Sequence, residues 1–327
     1  MNPRRLTVLL PVLNGMPYLP EALASLEEQT EVESFVFAWD NGSVDGSVDV
    51  LKEWIPRRLP GKVVTDHPLS LGDSRGEMLR RAETEFCACM DADDISLPQR
   101  FVRQIDALMS DERLAAVGGQ VETMDREGKP YSLKLEYPVE DLDIVHRMLT
   151  VTAFAHPAVC FRRSAVLDVG NYRNLIPEDY DLWLRLAAKY RVCNLEEKVL
   201  RYRFHEKSTS QTGKPEFLPD AVNRIFAAAA TALYGCSEAE LLDLRRRHRL
   251  FAAPLLMKIA RHLSRRDGLS LTNRLRTDSF REAIYRVVGP QDLATRLGMA
   301  LFRPGGPRLI YREARQVIQE FIEWQYR

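Results

Sequence analysis

The sequence predicts an α/β protein, in which a doubly wound, mostly parallel sheet flanked by helices is followed by an all-helical C-terminal extension. Short apolar runs alternate with amphipathic helical stretches over residues 1–115, which is the pattern of a parallel sheet covered by helices. Polar turns rich in Asp, Asn and Gly follow several of these runs. From residue 217 onward the apolar periodicity is almost wholly helical.

The alternation over the first 115 residues can be assigned element by element. The predicted strands are Leu6–Leu10, Phe35–Trp39, Lys62–Thr65, Phe86–Met90 and Ala115–Val117. The predicted helices are Leu19–Glu28, Val48–Ile55, Ser74–Ala82 and Pro98–Met109. Right-handed crossovers bring the carboxyl ends of parallel strands to one rim, where the ligands of such sheets bind.

The segment from Val121 to Phe204 is expected to continue the same domain, because no linker separates it from the preceding strands. It contains two helical stretches, Leu142–Leu149 and Asp179–Tyr190. We therefore expect two units, an α/β domain over residues 1–214 and a helical subdomain over residues 215–327.

The 327-residue chain has no net charge, with 46 Lys+Arg against 46 Asp+Glu. Its 45% hydrophobic content is typical of a globular protein, and the lack of a basic excess argues against a nucleic-acid partner. The charge is unevenly placed, since residues 215–327 carry 19 Lys+Arg against 12 Asp+Glu and the rest is correspondingly acidic. Basic clusters such as Arg245–Arg249 predict either contact with anionic lipid or an acidic partner, or packing of a solvated subdomain on the acidic domain. We favour the packing.

The five cysteines are scattered and form no CxxC pair, so neither a disulfide framework nor a zinc ribbon is expected. No apolar run approaches the ~20 residues that span a bilayer. The start of the chain resembles a signal peptide, but Pro11 interrupts its apolar stretch, which we interpret as a buried first strand. The expected location is the cytoplasm, with peripheral contact at the inner membrane face left open through the basic helices.

Three carboxylates leave the fourth predicted strand together, in the segment Met90–Asp94. In an extended backbone Asp91 and Asp93 would face the same way, and two such carboxylates are unfavourable unless a cation or a raised pKa relieves them. Oxygen ligands suit Mg²⁺ or Mn²⁺. The alternative is a solvated loop in which Asp94 or Ser96 caps the following helix.

Two further polar segments end on the same expected rim. Pro11-Val12-Leu13-Asn14-Gly15 follows the first strand and Asp40-Asn41-Gly42-Ser43 follows the second. Their Asp and Asn side chains could bond the edge of a nucleobase, or both segments could be ordinary turns. Neither is a GxGxxG or a GxxxxGK[ST] motif, so a dinucleotide dehydrogenase or a P-loop NTPase is not expected.

Seven sequence elements follow one another over residues 6–210. They are Pro11–Gly15 with Tyr18-Leu19, Asp40–Ser47, Ser74–Gly76, Met90–Asp94, His156–Ser164, Glu178–Arg185, and an ending with Tyr202, Arg203, His205, Ser208 and Ser210. In order and spacing these elements resemble the family-2 glycosyltransferases, which are inverting nucleotide-sugar transferases of the GT-A fold. The last third of the chain is not covered by the resemblance.

The resemblance implies that a nucleotide-sugar donor binds at the rim. The implied donor-binding residues are Pro11, Val12, Leu13, Asn14, Asp40, Asn41, Arg75, Asp91, Ala92 and Asp93. The implied ligands of a Mn²⁺ or Mg²⁺ cofactor are Asp91, Asp93 and His205, with Asp91 meeting ribose or a metal-bound water. Arg75 would support the diphosphate as a fixed cation, and the alternative for it is a helix-surface arginine.

On the acceptor side, the resemblance makes Asp179 the general base that takes the proton from the acceptor hydroxyl. Glu178 would be a catalytic neighbour that shares the acceptor contact, and His156 is expected in a loop nearby. The alternative for the two acids is that they are first-turn residues favoured by the helix dipole. Asp181 is expected to be an ordinary helix acid and Trp183 a core residue.

Two departures from the family pattern bear on the donor. Leu13 stands where the family often has an aromatic residue, and Asn41 where it has the second Asp of D-D-G-S. Because Asn offers both an acceptor and a donor, the base is open. Uridine is the first expectation, with thymidine and guanosine as alternatives.

The expected activity is metal-dependent, inverting transfer of a sugar from a nucleoside-diphosphate sugar to a hydroxyl of a glycan or glycolipid, in the synthesis of a surface polysaccharide. Two alternatives are kept. A nucleotidyltransferase that makes the activated sugar should begin with a glycine-rich, basic phosphate loop, which Pro11–Gly15 is not. A non-catalytic glycan-binding or scaffold protein would not need the acids and the histidine named above.

Overall fold

Eight strands form one sheet in the computed structural model, which describes residues 4–206, 208, 218–245 and 252–288. The strands are β1 Arg5–Val12, β2 Glu33–Asp40, β3 Gly61–Val64, β4 Phe86–Cys89, β5 Ile95–Ser96, β6 Leu114–Met124, β7 Cys160–Arg162 and β8 Arg191–Arg203. Their order across the sheet is β3-β2-β1-β4-β7-β6-β8-β5. β5 and β7 are antiparallel to their neighbours and the other strands run parallel, so the predicted fold class is confirmed.

Helices connect the strands and cover the sheet. In the α/β part they are α1 Leu19–Glu27, α2 Ser47–Trp54, α3 Leu71–Arg81, α4 Arg100–Ser110, α5 Asp141–Arg147, α6 Arg163–Asp168 and α7 Glu178–Lys189. The C-terminal part contains α8 Leu218–Ala229, α9 Thr231–Tyr234, α10 Glu238–Arg245, α11 Ala252–Asp267, α12 Leu271–Arg276 and α13 Asp278–Val288. Residues 289–327, for which the sequence also predicts helices, lie outside the described residues.

The first strand, β1, is buried along almost its whole length, as a strand covered by helices on both faces must be. Leu6, Val8 and Leu10 belong to the apolar cluster on one face of the sheet, and Leu9 belongs to the cluster on the other. Leu9 lies opposite Cys89 of β4 in parallel register. The predicted buried first strand is thus confirmed.

The acidic segment after β4 is a turn and not the extended backbone that we predicted. β4 ends at Cys89, and the Asp94 N–H donates to the Asp91 C=O at 3.5 Å. The turn directs Asp91 toward α3 and Asp93 toward the end of β8. The two carboxylates therefore have different partners and do not share one face of a strand.

β6 is much longer than the predicted strand Ala115–Val117, because it continues beside β8 as far as Met124. Gly118 and Gly119 make this close approach possible. A Cβ on Gly118 would lie 2.0 Å from the Asn194 Oδ1 atom. Two glycines that weaken a strand prediction are therefore what lets these two strands pair.

The described C-terminal helices pack on the α/β part, as the favoured interpretation of the charge pattern expects. α8 and α9 contact α7, and α13 contacts α5. One cluster of buried apolar side chains includes Leu9 on the sheet, Trp183 on α7, Phe226 on α8 and Ile259 on α11. Among the helices whose residues are described, none is long and apolar enough to cross a membrane.

Candidate active site

Three turns meet at the rim where β1, β2 and β4 end. The turn after β1 is tied to the turn after β2, since the Asn14 Oδ1 atom accepts the Val44 N–H at 2.9 Å and the Asn14 N–H donates to Ser43 Oγ at 2.8 Å. The turn after β4 lies against the first, because a Cβ on Gly15 would be 3.2 Å from the Ala92 Cβ. Parallel strand topology thus brings the predicted donor-binding segments together.

The residues at the end of β1 divide between core and surface. Pro11 and Val12 are buried, and the Val12 C=O accepts the Asn41 N–H at 2.7 Å. Leu13, by contrast, is 60% exposed. The rim therefore presents an apolar aliphatic side chain to any ligand that binds there.

Asp40 and Asn41 hold the rim together through their own side chains. Asp40 is 2% exposed, and its carboxylate accepts the N–H groups of Gly42 and Ser43. The Asn41 amide donates to Ser74 Oγ at 3.2 Å and accepts the Leu69 N–H at 3.3 Å. Both side chains have partners within the protein, so their expected contact with a nucleobase stays a prediction.

Arg75 on α3 is not the helix-surface arginine of the alternative interpretation. Its guanidinium donates to Asp91 Oδ1 at 2.7 Å and to Glu178 Oε1, and the residue is only 5% exposed. Although burial by itself lowers the pKa of Arg75, the charges of Asp91 and Glu178 raise it above its ordinary value. One buried cation thus joins the acidic turn after β4 to the first turn of α7.

Asp93 and His205 face each other across the rim. The Asp93 Oδ2 and His205 Nε2 atoms lie 2.8 Å apart, and the side chains are 28% and 12% exposed. The Tyr18 ring lies 4.8 Å from the His205 ring. Within the part of the chain that the structure describes, no three His, Cys, Asp or Glu side chains gather as a set of metal ligands. The protein therefore offers a carboxylate and an imidazole there, while Asp91 is paired with Arg75.

Arg203 holds the acidic turn in place, a role that the sequence did not reveal. Its Nε donates to the Asp93 C=O at 2.8 Å, its N–H to Asp94 Oδ1 at 2.9 Å, and its Nη2 to Glu21 Oε2 at 2.6 Å. The signal was present, because Arg203 is the arginine of the Tyr-Arg-x-His element. Ser210, from the same element, lies outside the described residues.

Asp94 and Ser96 do not cap the next helix, so that alternative is wrong. Asp94 is buried and accepts from Arg203, and Ser96 is buried in β5. The residue that precedes α4 is Gln99, which makes no side-chain capping hydrogen bond. Asp94 is thus part of the support beneath the turn.

The two acids at the start of α7 have different surroundings. Glu178 is buried and is the carboxylate that receives the Arg75 guanidinium. Asp179 remains partly exposed, and its Oδ1 accepts the Tyr180 N–H at 2.8 Å. Burial, together with the charge of Glu178, raises the pKa of Asp179 to about 7. Both acids do occupy the first helical turn, so the dipole interpretation and the catalytic one are compatible.

Asp181 is more than an ordinary helix acid. Its buried carboxylate accepts from Arg185 Nε at 2.9 Å and from Arg173 Nη1 at 3.3 Å. It therefore ties α7 to the loop before it. Trp183 is fully buried, as predicted.

His156 lies in a short 3₁₀ helix, His156–Ala158, and not in the predicted loop. It is 8% exposed, and its Nε2 lies 3.0 Å from the Tyr172 hydroxyl and 3.5 Å from Cys89 Sγ. Burial, with the charge of Arg75, holds the pKa of His156 well below its usual range. The ring is packed into the protein against Tyr172 and Trp183, and its expected contact with the acceptor stays a prediction.

The rim of the doubly wound sheet thus carries an acidic turn, a carboxylate–histidine pair and an acid at the start of a helix. The family described as Glycosyl transferase family 2 matches residues 7–170, and the chain belongs to this family. The resemblance drawn from the seven sequence elements is confirmed. The protein is a glycosyltransferase, which disfavours both alternatives of the sequence analysis.

Relatives and solved structures agree with this assignment. The chain is 32% identical over 189 residues to the amylovoran biosynthesis glycosyltransferase AmsE of Erwinia amylovora, covering 57% of this chain and 70% of AmsE. It is 34% identical over 137 residues to the O-antigen biosynthesis glycosyltransferase WbnJ of Escherichia coli, covering 40% of this chain and about half (52%) of WbnJ. The crystal structure of S. aureus TarS 1–349 in complex with UDP-GlcNAc matches with a TM-score of 0.55 at 17% identity, over 97% of this chain and 89% of TarS, and shows the shared fold.

Proposed function

We propose that the protein is an inverting glycosyltransferase that moves a sugar from a nucleoside-diphosphate sugar to a hydroxyl of a glycan or glycolipid, in the synthesis of a surface polysaccharide. The observation that carries the proposal is the buried Arg75 pair, which links the acidic turn at Asp91 to the acids that begin α7. The names of AmsE and WbnJ, which refer to amylovoran and O-antigen biosynthesis, support the class of product.

Asp179 is the proposed general base. A base that accepts a proton from a hydroxyl works best when its pKa lies near the operating pH, and the pKa of Asp179 is raised to about 7. Glu178 accepts a hydrogen bond from Arg75, so we assign it the supporting role beside the base. Because their surroundings differ, the two neighbouring carboxylates can have different roles, with Asp179 as the base and Glu178 as its structural support.

The donor is proposed to bind along the rim, with its base near Leu13 and Asn41 and its diphosphate near Arg75 and Asp93. The Asp93–His205 pair would hold Mn²⁺ or Mg²⁺, because a carboxylate oxygen suits such cations, and the partly exposed Asp93 carboxylate has the His205 imidazole beside it as a second ligand. A bound cation supplies positive charge that stabilises the departing diphosphate. Arg75 holds Asp91 in place next to that position through its hydrogen bond to Asp91 Oδ1. The structure of TarS with UDP-GlcNAc is compatible with a uridine donor.

The test of the proposed base is Asp179→Asn. We expect transfer to be lost, by at least the ~10²-fold that a positioned base contributes, while the affinity for the nucleoside diphosphate is unchanged in calorimetry. Asp168→Asn, on the surface at the end of α6, is the matched control and should transfer normally. Near-normal transfer by Asp179→Asn would sink the assignment of the base.

The metal and the donor can be tested together. A panel of UDP-, GDP-, dTDP- and CMP-sugars, titrated with Mn²⁺ or with chelator, should show one donor whose affinity depends on the cation. His205→Asn should weaken that cation-dependent affinity by ~10-fold or more, as loss of a metal-site residue does. Equal affinity with and without chelator in the wild type would refute the metal assignment.

The proposed location is the cytoplasm, which agrees with five free cysteines. Contact of the basic helices with the inner membrane face is the weaker proposal, because Arg245 points into the protein and Arg266 pairs with Asp141. The cluster partners Arg246–Arg249 lie outside the described residues. Flotation with anionic vesicles would test this contact directly, and protein that stays at the bottom of the gradient would count against it.

A further inference from the structure

We infer that Arg245, at the end of α10, positions the first turn of α7 and with it the proposed base. The inference rests on the proposed function in that it takes Asp179 as that base. It gives the C-terminal helices a part in the reaction, although Arg245 lies beyond the residues that match the family.

Arg245 joins two segments of the α/β part. Its Nη2 donates to the Tyr180 hydroxyl oxygen at 2.9 Å, and its Nη1 donates to the Thr150 C=O in the turn after α5. The Tyr180 hydroxyl in turn donates to the Met148 C=O at 2.5 Å. The hydroxyl therefore accepts from one side and donates to the other, which fixes its position from both.

The Tyr180 ring is clamped as well as its hydroxyl. Tyr180 is buried and stacks on the buried Phe226 ring of α8, with centroids 6.2 Å apart and planes 18° apart. The Arg245 guanidinium lies 4.2 Å above the same Phe226 ring, as in a cation–π contact. The tyrosine is thus held by two helices of the C-terminal part.

Tyr180 passes this restraint to its neighbour. Its N–H donates to the Asp179 Oδ1 atom at 2.8 Å, so the orientation of the carboxylate depends on where the Tyr180 backbone lies. On the other side, Arg75 holds Glu178. The first turn of α7 is consequently fixed from the sheet by Arg75 and from the C-terminal helices by Arg245.

Arg266 on α11 offers a matched control. It also reaches from the C-terminal helices into the α/β part, donating to the Ala187 C=O at 3.3 Å and pairing with Asp141 at 2.9 Å. Ala187 lies at the opposite end of α7. Arg266→Met therefore removes a comparable bridge and leaves the turn with Asp179 untouched.

The experiment compares Arg245→Met with Arg266→Met in the full chain by amide hydrogen exchange and steady-state kinetics. We expect Arg245→Met to speed exchange at residues 179–182 by ~10-fold or more, and to lower kcat by ~10-fold or more, since small misplacement of a reacting group is costly. The Kd for the nucleoside diphosphate should stay within about twofold. Arg245→Lys should restore part of kcat, because one ammonium cannot reach both acceptors as a forked guanidinium does.

Arg266→Met should affect exchange at the far end of α7 and leave kcat unchanged. If both variants exchange alike at residues 179–182, or kcat of Arg245→Met equals that of Arg266→Met, the inference is overturned. Should Arg245→Met not fold, Tyr180→Phe removes the hydroxyl from the same contact and must show the same loss of kcat. Full transfer by Asp179→Asn would refute the base and not the restraint, which the exchange measurement reports separately.

Discussion

Replacing Asp179 by Asn should make the folded protein more stable at pH 8 while it removes transfer. Burial and the charge of Glu178 raise the pKa of Asp179. At pH 8 the carboxylate is ionised in a place that disfavours its charge, and the unfolded chain has no such cost. A neutral amide of nearly the same shape removes that cost.

The size of the gain follows from the pKa. A rise from 3.8 to about 7, at about 1.4 kcal/mol per pKa unit, amounts to ~4 kcal/mol as an upper value. Asp179 keeps partial exposure, and solvent screens part of the unfavourable charge. We therefore expect a measured gain of about 2 kcal/mol or more in the free energy of unfolding at pH 8.

The stability gained by Asp179→Asn should depend on pH. Because the folded-state pKa of Asp179 is raised, its favourable contribution is complete below the unfolded pKa and is lost as the pH rises through about 7. The gain from Asp179→Asn should thus fall to under half at about pH 5 and become negligible by about pH 3. Urea unfolding of both proteins at pH 8 and pH 5 measures the difference.

Asp168→Asn is the control of opposite sign. Hydrogen bonds from Lys189 and Tyr190 hold the pKa of Asp168 below its usual range, so the amide should not stabilise the protein at any pH. A stability of Asp179→Asn that is lower than wild type at pH 8, or a gain that is the same at pH 5, would refute the reasoning.

Two further predictions concern the frame around the site. Gly72→Ala should destabilise the protein by ~1–3 kcal/mol, because the new Cβ would lie 2.4 Å from the Arg173 carbonyl oxygen. Gly76→Ala in the same helix is the control, since its Cβ would have no contact under 3.4 Å. Thermal unfolding should show this control to be neutral or stabilising. Burial and the charge of Arg274 lower the pKa of His146 to about 2. Below about pH 6.5 the unfolded chain therefore binds a proton on this histidine and the folded chain does not, so the free energy of unfolding falls with the pH. His146→Gln should make that fall smaller between about pH 6.5 and 5.

Much of the fold could be predicted because it depends on patterns of apolar and polar residues that are close in the sequence. The burial of β1 and the spacing of apolar residues in α1 depend on neighbours a few residues apart, and their bounds agree with the sequence prediction to within two residues. The gathering of Asn14, Asp40 and Asp91 on one rim followed from parallel topology alone. Such features require no knowledge of distant packing.

The rest depends on contacts between segments far apart in the chain. Arg75 could be a surface residue of α3 until the approach of Glu178, 103 positions later, makes it a buried cation. In the sequence Arg245 belongs to a basic cluster, but in the folded protein its guanidinium donates to the Tyr180 hydroxyl. His156 belongs to a family element, but only the fold shows that Tyr172 and the core enclose it.

One apolar cluster includes both Leu9 on the sheet and Phe226 on α8, so the α/β part and the C-terminal helices share a hydrophobic core. Because Trp183 and its neighbours are covered by α8 and α9, a chain cut at residue 214 would expose that face to water and gain no compensating contact. The two units should therefore unfold in a single transition, and neither should be recovered as a soluble fragment. Substitutions on the outer surface of the C-terminal helices would leave these contacts intact. Loss of the helices would instead require polar residues on the face of α7 that they cover.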